Sequence, residues 1–274
     1  MSVIAIIPAR MGSKRFPGKP LKKISGLSMI EHVRRRTLLS NKIDEVLVAT
    51  CDQEIIDEVT RFGGKAVLTS KRHNSCVDRV AEAASSLNVD VIINVQGDFP
   101  LVNPKSLEKL VEPLLKDKTV NFTDMMTKIT NKLEILNHNI VKVVVSLSDK
   151  AMYYCRGPIP SSKKEPKINN IYYKQLGINA YRKESLIKFS KLKRTYLEKI
   201  ESIDMLRLLE NDIAITMVNY NTSALGVDTP NDLKKVRILT ALIYLNIAAL
   251  HHYPYSLLLY GLGKKMLHNE LNAN

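Results

Sequence analysis

Short apolar runs and helix-patterned stretches alternate through the first half of the chain, and this alternation restricts the fold more than any other feature. Runs at 3–7, 45–50, 65–69 and 91–95 read as strands, and the segments 29–39, 54–62 and 77–86 carry helical spacing. Strand–helix–strand units of this kind close through right-handed crossovers into a mostly parallel sheet. Ligands of such sheets gather beyond the carboxyl ends of the strands, where Arg10, Ser75 and Asp98 emerge. The second half is less regular. It offers strands at 141–147, 176–181 and 213–218 and a Pro- and Lys-rich loop at 157–167, which reads as an inserted lobe rather than a separate domain.

The loop after the first strand carries the chemistry. Residues 7–21, IPARMGSKRFPGKPL, hold Arg10, Lys14, Arg15 and Lys19 in a segment broken by Gly12, Pro17 and Gly18. Glycines let backbone N–H groups approach an anion closely, and the cations neutralise a polyphosphate. The pattern GxxxxGK[ST] is absent, which argues against a P-loop NTPase, and so is GxGxxG, which argues against an ordinary dinucleotide site. A helix is expected to start near Ser28.

A chain of 274 residues with 45% hydrophobic content can bury a sizeable core. Its net charge of +14 would suit nucleic acid, but Lys and Arg are scattered rather than gathered in an aromatic-interleaved stripe, so no nucleic-acid partner is expected. A lysine-rich solvated surface and a basic pocket for anionic substrates are the compatible alternatives. The three cysteines, Cys51, Cys76 and Cys155, are far apart and form no CxxC, which fits a reducing cytoplasm. The N-terminus begins directly on a strand, so no secretory signal is expected. Residues 237–274 form an apolar C-terminal extension interrupted by HHYPY. Each apolar half falls short of the ~20 residues a bilayer-spanning helix needs. A packing or peripheral helix is expected there, with membrane contact left open.

Two aspartates stand at strand-to-helix junctions. VQGDFP sets Asp98 just past the strand at 91–95, and GVDTPNDL sets Asp228 before a helix with Pro230 in its first turn. Each has a plain structural reading, as an Asx-turn or helix cap, beside a functional one as a Mg²⁺ ligand. Along 197–211, Leu197, Ile200, Ile203, Leu206 and Leu209 recur at three-residue steps and read as the apolar stripe of one helix. Glu198, Glu201, Asp204 and Arg207 form an adjacent row, either a solvated ion-paired face or a hydroxyl-binding rim.

Taken together, IPAR, Ser13, Arg15, PGKPL, QGD and VDTP resemble the 3-deoxy-manno-octulosonate cytidylyltransferase family of acid-sugar cytidylyltransferases, in order along residues 2–236. The resemblance implies a three-layer Rossmann-like nucleotidyltransferase fold with a mostly parallel sheet over 1–236 and an inserted dimerisation lobe near 120–190. It implies transfer of CMP from CTP to 3-deoxy-D-manno-octulosonate (Kdo) or a close ulosonic acid, with Mg²⁺, release of pyrophosphate, and a homodimer in the cytoplasm serving lipopolysaccharide precursor synthesis. Arg10, Arg15, Lys19 and Asp98 would be catalytic, and Ala9, Arg10, Ser13, Lys19, Ser75 and Gln96 would hold the nucleotide. Arg79, Gln96, Tyr181, Glu201 and Asp204 would meet the sugar, and Asp98 and Asp228 the metal. Departures fall on the sugar side: Cys76 and Val77 replace a Gly–Thr pair, Phe99 an acid and Gln175 a histidine. These leave open an amino-Kdo, a nonulosonate, another nucleotidyl transfer, or a paralogue that has lost turnover.

Overall fold

The computed structural model describes residues 1–13, 15–73, 75–161, 172–221 and 226–272. Lys14 of the basic loop and residues 162–167 of the Pro- and Lys-rich loop lie outside the described residues. Strand β1 (Val3–Ala9) enters the basic loop, which ends in a 3₁₀ turn (Lys19–Leu21) and a hairpin of β2 (Lys23–Ile24) and β3 (Leu27–Ser28). Helix α1 (Met29–Leu38) follows at once, as the sequence predicts. The alternation continues through β4 (Glu45–Thr50), α2 (Gln53–Arg61), β5 (Lys65–Leu68), α3 (Cys76–Ser85), β6 (Val91–Asn94) and α4 (Pro104–Lys116). After β7 (Phe122–Lys128) and the short α5 (Lys132–Leu136) come β8 (Lys142–Val145), β9 (Ala151–Cys155) and β10 (Tyr173–Arg182). Helices α6 (Lys183–Lys191), α7 (Tyr196–Glu201) and α8 (Met205–Leu209), strand β11 (Thr216–Asn219), and helices α9 (Pro230–Ala248) and α10 (Tyr255–Asn272) complete the described chain.

The central sheet runs β11-β7-β10-β6-β1-β4-β5, with β8 and β9 attached beside β10. Strands β6, β1, β4 and β5 are mutually parallel, β11 is parallel to β7, and β10 runs antiparallel between β6 and β7. The mostly parallel sheet expected from the alternation is therefore present, with helices on both faces as the resemblance implies. Ile6 and Ile7 have no exposure and belong to the two opposite core layers, because successive side chains of a strand point to opposite faces. Each such burial stabilises by roughly 1.5–3 kcal/mol. Val33 of α1, Ile55 and Val59 of α2 and Leu107 and Leu110 of α4 fill one layer; Val80 and Ala84 of α3 with Leu186 and Phe189 of α6 fill the other.

Two features differ from the sequence expectation. Strand β7, read as no element, lies inside the sheet, because its FTDMMTK pattern mixes Thr123, Asp124 and Thr127 with apolar residues and gives no alternation. With β7 and β10 in the central sheet, the excursion within 120–190 is carried by α5, β8 and β9. The single helix expected over 197–211 is instead two, α7 and α8, broken at Ser202 with φ 54°. A three-residue step advances only ~300° around a helix, so the apparent stripe drifts off one face. Ile200 is accordingly exposed, while Ile203 and Leu206 are buried around the break.

Candidate active site

The parallel strands deliver their carboxyl ends to one edge, and a cavity of about 470 Å³ opens there. Ala9, Arg10, Ser13, Arg15, Lys19, Ser75, Arg79, Gln96, Asp98 and Asp228 all line it. The basic loop is folded by its own backbone: the Met11 carbonyl accepts from Ser13 N–H at 2.8 Å and from Gly18 N–H at 3.1 Å. Gly18 sits at φ 68°, a left-handed conformation that costs glycine little. Asp52, just beyond β4, accepts the Met11 N–H at 2.8 Å and ties the loop to the neighbouring strand.

The two junction aspartates, 130 residues apart in the chain, meet here. The Asp98 carbonyl accepts the Val227 N–H at 2.9 Å, which pins the second junction against the first. Beyond it a capping box between Thr229 and Asp232 starts α9, and Leu233 and Val236 seat that helix on Phe16, Ile24 and Met29. Both carboxylates turn to Lys19: its Nζ lies 2.6 Å from Asp98 Oδ2 and 3.5 Å from Asp228 Oδ1. Arg15 donates to Asp228 Oδ1 at 2.8 Å. An ammonium bridging two carboxylates marks a position where a cation is favoured, and two hard oxygen donors on a wall open to solvent suit a divalent ion that keeps substrate oxygens and waters as its other ligands. Among the described residues no cluster of three or more His, Cys, Asp or Glu could hold a metal by itself.

The opposite wall comes from α3 and β6. Ser75 caps α3 by accepting the Val77 N–H at 3.1 Å and donates to Asp204 Oδ2 at 2.7 Å. Gln96 donates to the Gly177 carbonyl at 3.1 Å, which fixes its amide toward the pocket wall. Arg79 is buried, with its guanidinium on Thr69 Oγ1 and Cys51 Sγ. Solvent reaches Cys76, yet it sits within the concavity, where desolvation, helped by the Asp204 and Asp98 charges, pushes its thiol up to about 11. Gly97 brings the backbone close, since a Cβ there would meet the Pro8 carbonyl oxygen at 3.0 Å.

Three residues expected on the sugar side do not line the cavity. Asp204 stands behind Ser75, with its pKa raised by burial against the opposing Ser75 hydrogen bond. Glu201 accepts the Arg156 N–H at 2.9 Å. Tyr181 is wholly buried in the core layer beneath, edge-on to Phe122. His73 lines the cavity without having stood out in the sequence, beside Gly97 of the QGD motif. His73 precedes α3 in a turn with no motif of its own and pairs with Glu82, so only the fold could bring it to the rim.

The chain has close counterparts. A sequence profile described as cytidylyltransferase matches residues 4–215. A 3-deoxy-manno-octulosonate cytidylyltransferase of Geotalea daltonii is 40% identical over 245 residues, covering 86% of this chain and 97% of its own length. One from Fusobacterium nucleatum is 42% identical over 237 residues, covering 86% and 96%. The solved structure of a CMP:2-keto-3-deoxy-manno-octonic acid synthetase complexed with CTP superposes with a TM-score of 0.84 at 37% identity, covering 89% of this chain and all of that one. A strand-borne basic loop facing two converging aspartates, on a sheet that matches along its length, places this protein: the chain belongs to the cytidylyltransferase family, among the 3-deoxy-manno-octulosonate cytidylyltransferases.

Proposed function

We propose that this enzyme transfers CMP from CTP to Kdo or a close ulosonic acid and releases pyrophosphate, supplying an activated sugar for lipopolysaccharide precursors. The observation that carries the reading is the convergence of Asp98 and Asp228 on one cation position beside Arg15 and Arg10, within a pocket large enough for a nucleotide. The basic loop binds the triphosphate: Arg10, Arg15 and Lys19 lie on the β- and γ-phosphates, with Ala9 and Ser13 along the same loop. Asp98 and Asp228 would hold a divalent ion, Mg²⁺ by donor type, which when bound would supply charge neutralisation at the phosphates and acidify a nearby hydroxyl. The sugar's anomeric hydroxyl gives its proton to solvent in the open cavity as its oxygen forms a bond to the α-phosphorus, and the α–β bridging P–O bond breaks with its electron pair leaving on pyrophosphate. Arg10, Arg15 and Lys19 stabilise that departing charge.

The sugar occupies the wall formed by Ser75, Arg79 and Gln96. Asp204 acts from behind as a positioning residue through Ser75. Tyr181 supports that wall from the core. Cys76, which stands on this wall where relatives are expected to have glycine, favours a test of amino-substituted sugars beside Kdo. The β8–β9 excursion is the proposed dimer contact, and the enzyme is expected to sediment as two chains. CTP sets the reaction in the cytoplasm.

Pyrophosphate release with CTP and Mg²⁺ is measured for Kdo, its 8-amino analogue and a neuraminate-type sugar. Release with Kdo or its analogue, reduced at least ~10²-fold by Asp98→Ala, is the expected result. Retained CTP binding with no turnover of any sugar would mean that the sugar-side changes have disabled the enzyme or redirected it to another acceptor.

A further inference from the structure

The cytidylyltransferase profile stops at residue 215, and the two longest described helices lie beyond it. The first turns of α9 belong to the catalytic body through Leu233 and Val236. After Arg237 the chemistry changes: from residue 238 to 263 there is no Asp, Glu, Lys or Arg. The chain folds this stretch into a hairpin. Gly263 of α10 packs on α9 so closely that a Cβ there would meet Leu245 Cγ at 2.9 Å and the Ala241 carbonyl oxygen at 3.0 Å, and Arg237 pairs with Glu270 at 3.4 Å near its base.

The hairpin leaves its outer surface apolar. On α9, Leu239, Leu242, Ile243 and Ile247 follow i, i+3, i+4, i+8 spacing and are all exposed, which makes a continuous stripe. At the turn end Leu250, Tyr253, Leu257 and Leu258 are 56–80% exposed. A helical face this apolar is ordinarily covered. No described helix is long and apolar enough to cross a membrane, and the uncharged limb of α9 reaches only ~16 Å at 1.5 Å per residue, about half the ~30 Å hydrocarbon core.

Charge identifies the occupant. The two acids nearest the hairpin base are already engaged, Asp232 by its cap and Lys235, Glu270 by Arg237. Lys264 and Lys265, exposed on α10 directly after the uncharged stretch, have no carboxylate partner among the described residues, and Lys264 lies over the Tyr260 ring. A second copy of the hairpin would set these cations against their own kind on a chain of net charge +14. An anionic lipid surface accepts both components, apolar stripe and tyrosines at the headgroup boundary and lysines on phosphates. We propose that the α9–α10 hairpin docks this enzyme on an anionic lipid bilayer surface, lying in one leaflet without spanning it.

Co-sedimentation of the full-length enzyme with vesicles of phosphatidylcholine alone, and with about a quarter phosphatidylglycerol, tests this. The expected result is partitioning onto the anionic vesicles only, weakened by salt, with Lys264→Gln/Lys265→Gln lowering the partition constant about thirtyfold, since each lysine near the surface contributes about fivefold. Leu257→Asp/Leu258→Asp is expected to abolish partitioning while pyrophosphate release in solution stays at the parent rate. Partitioning onto neither vesicle would overturn the proposal, as would equal partitioning onto both. Self-association without lipid that Leu257→Asp/Leu258→Asp dissolves would also overturn it, by assigning the face to a second copy.

Discussion

Asp124, in the middle of β7, is fully enclosed and accepts hydrogen bonds from Tyr154 Oη at 2.8 Å, Gln175 Nε2 at 2.7 Å and Asn179 Nδ2 at 2.5 Å. Burial outweighs these donors and pushes its carboxyl up to about 7. Because the folded-state value lies above the ordinary carboxylate range, the folded protein holds this proton more tightly than the unfolded chain. The resulting stabilisation is full at low pH and declines as pH rises from about 4 through 7. The difference in unfolding free energy between the parent and Asp124→Asn, read from urea titrations at pH 5 and pH 8, should change by a few kcal/mol, with the parent losing ground at the higher pH. A difference independent of pH would contradict this origin. No signal in the sequence separated Asp124 from a surface acid, since burial is a property of the strand that the FTDMMTK pattern did not reveal. Asp98 and Asp228 were legible because each stands in a junction motif, whereas Tyr181 was placed by resemblance alone and Glu201 by resemblance and a helical projection, and the fold set both away from the cavity.

Among elements, the α7–α8 break is held by a buried ion pair. Arg207, 1% exposed, donates to Glu198 from Nε at 2.8 Å and from Nη2 at 2.6 Å, and its guanidinium covers the Phe189 ring of α6. Removing Glu198 leaves the buried guanidinium with only the longer Asp78 contact at 3.7 Å, so Glu198→Ala should destabilise the protein by about 3 kcal/mol and lower the melting temperature by several degrees. Glu198→Leu with Arg207→Met should recover much of that loss, because an apolar pair of similar volume needs no desolvation. Calorimetry of the three proteins distinguishes these outcomes. The row of charged residues read from the sequence as a solvated face or a sugar rim is thus divided: Glu198 and Arg207 turn inward, Asp204 backs Ser75, and Glu201 holds the Arg156 backbone. A helical projection could not foresee this, because the left-handed residue Ser202 resets the phase between the two helices.

Over the whole molecule, a net charge of +14 draws a nucleotide triphosphate toward the basic loop, and salt screens that attraction. Raising ionic strength from about 0.05 to 0.5 M should raise KM for CTP several-fold with little change in kcat. A KM indifferent to salt would confine the effect to the contacts of Arg10, Arg15 and Lys19. The sequence by itself determined the alternating strands and helices, the basic loop and the two aspartate junctions, because local periodicity and turn chemistry are written in consecutive residues. Only the tertiary structure decided that β7 enters the sheet, that Asp98 and Asp228 share one cation position, and that residues 238–272 fold back with an uncovered apolar face. Those are facts of long-range packing, set by which distant surfaces exclude water from one another rather than by any residue's neighbours in the chain.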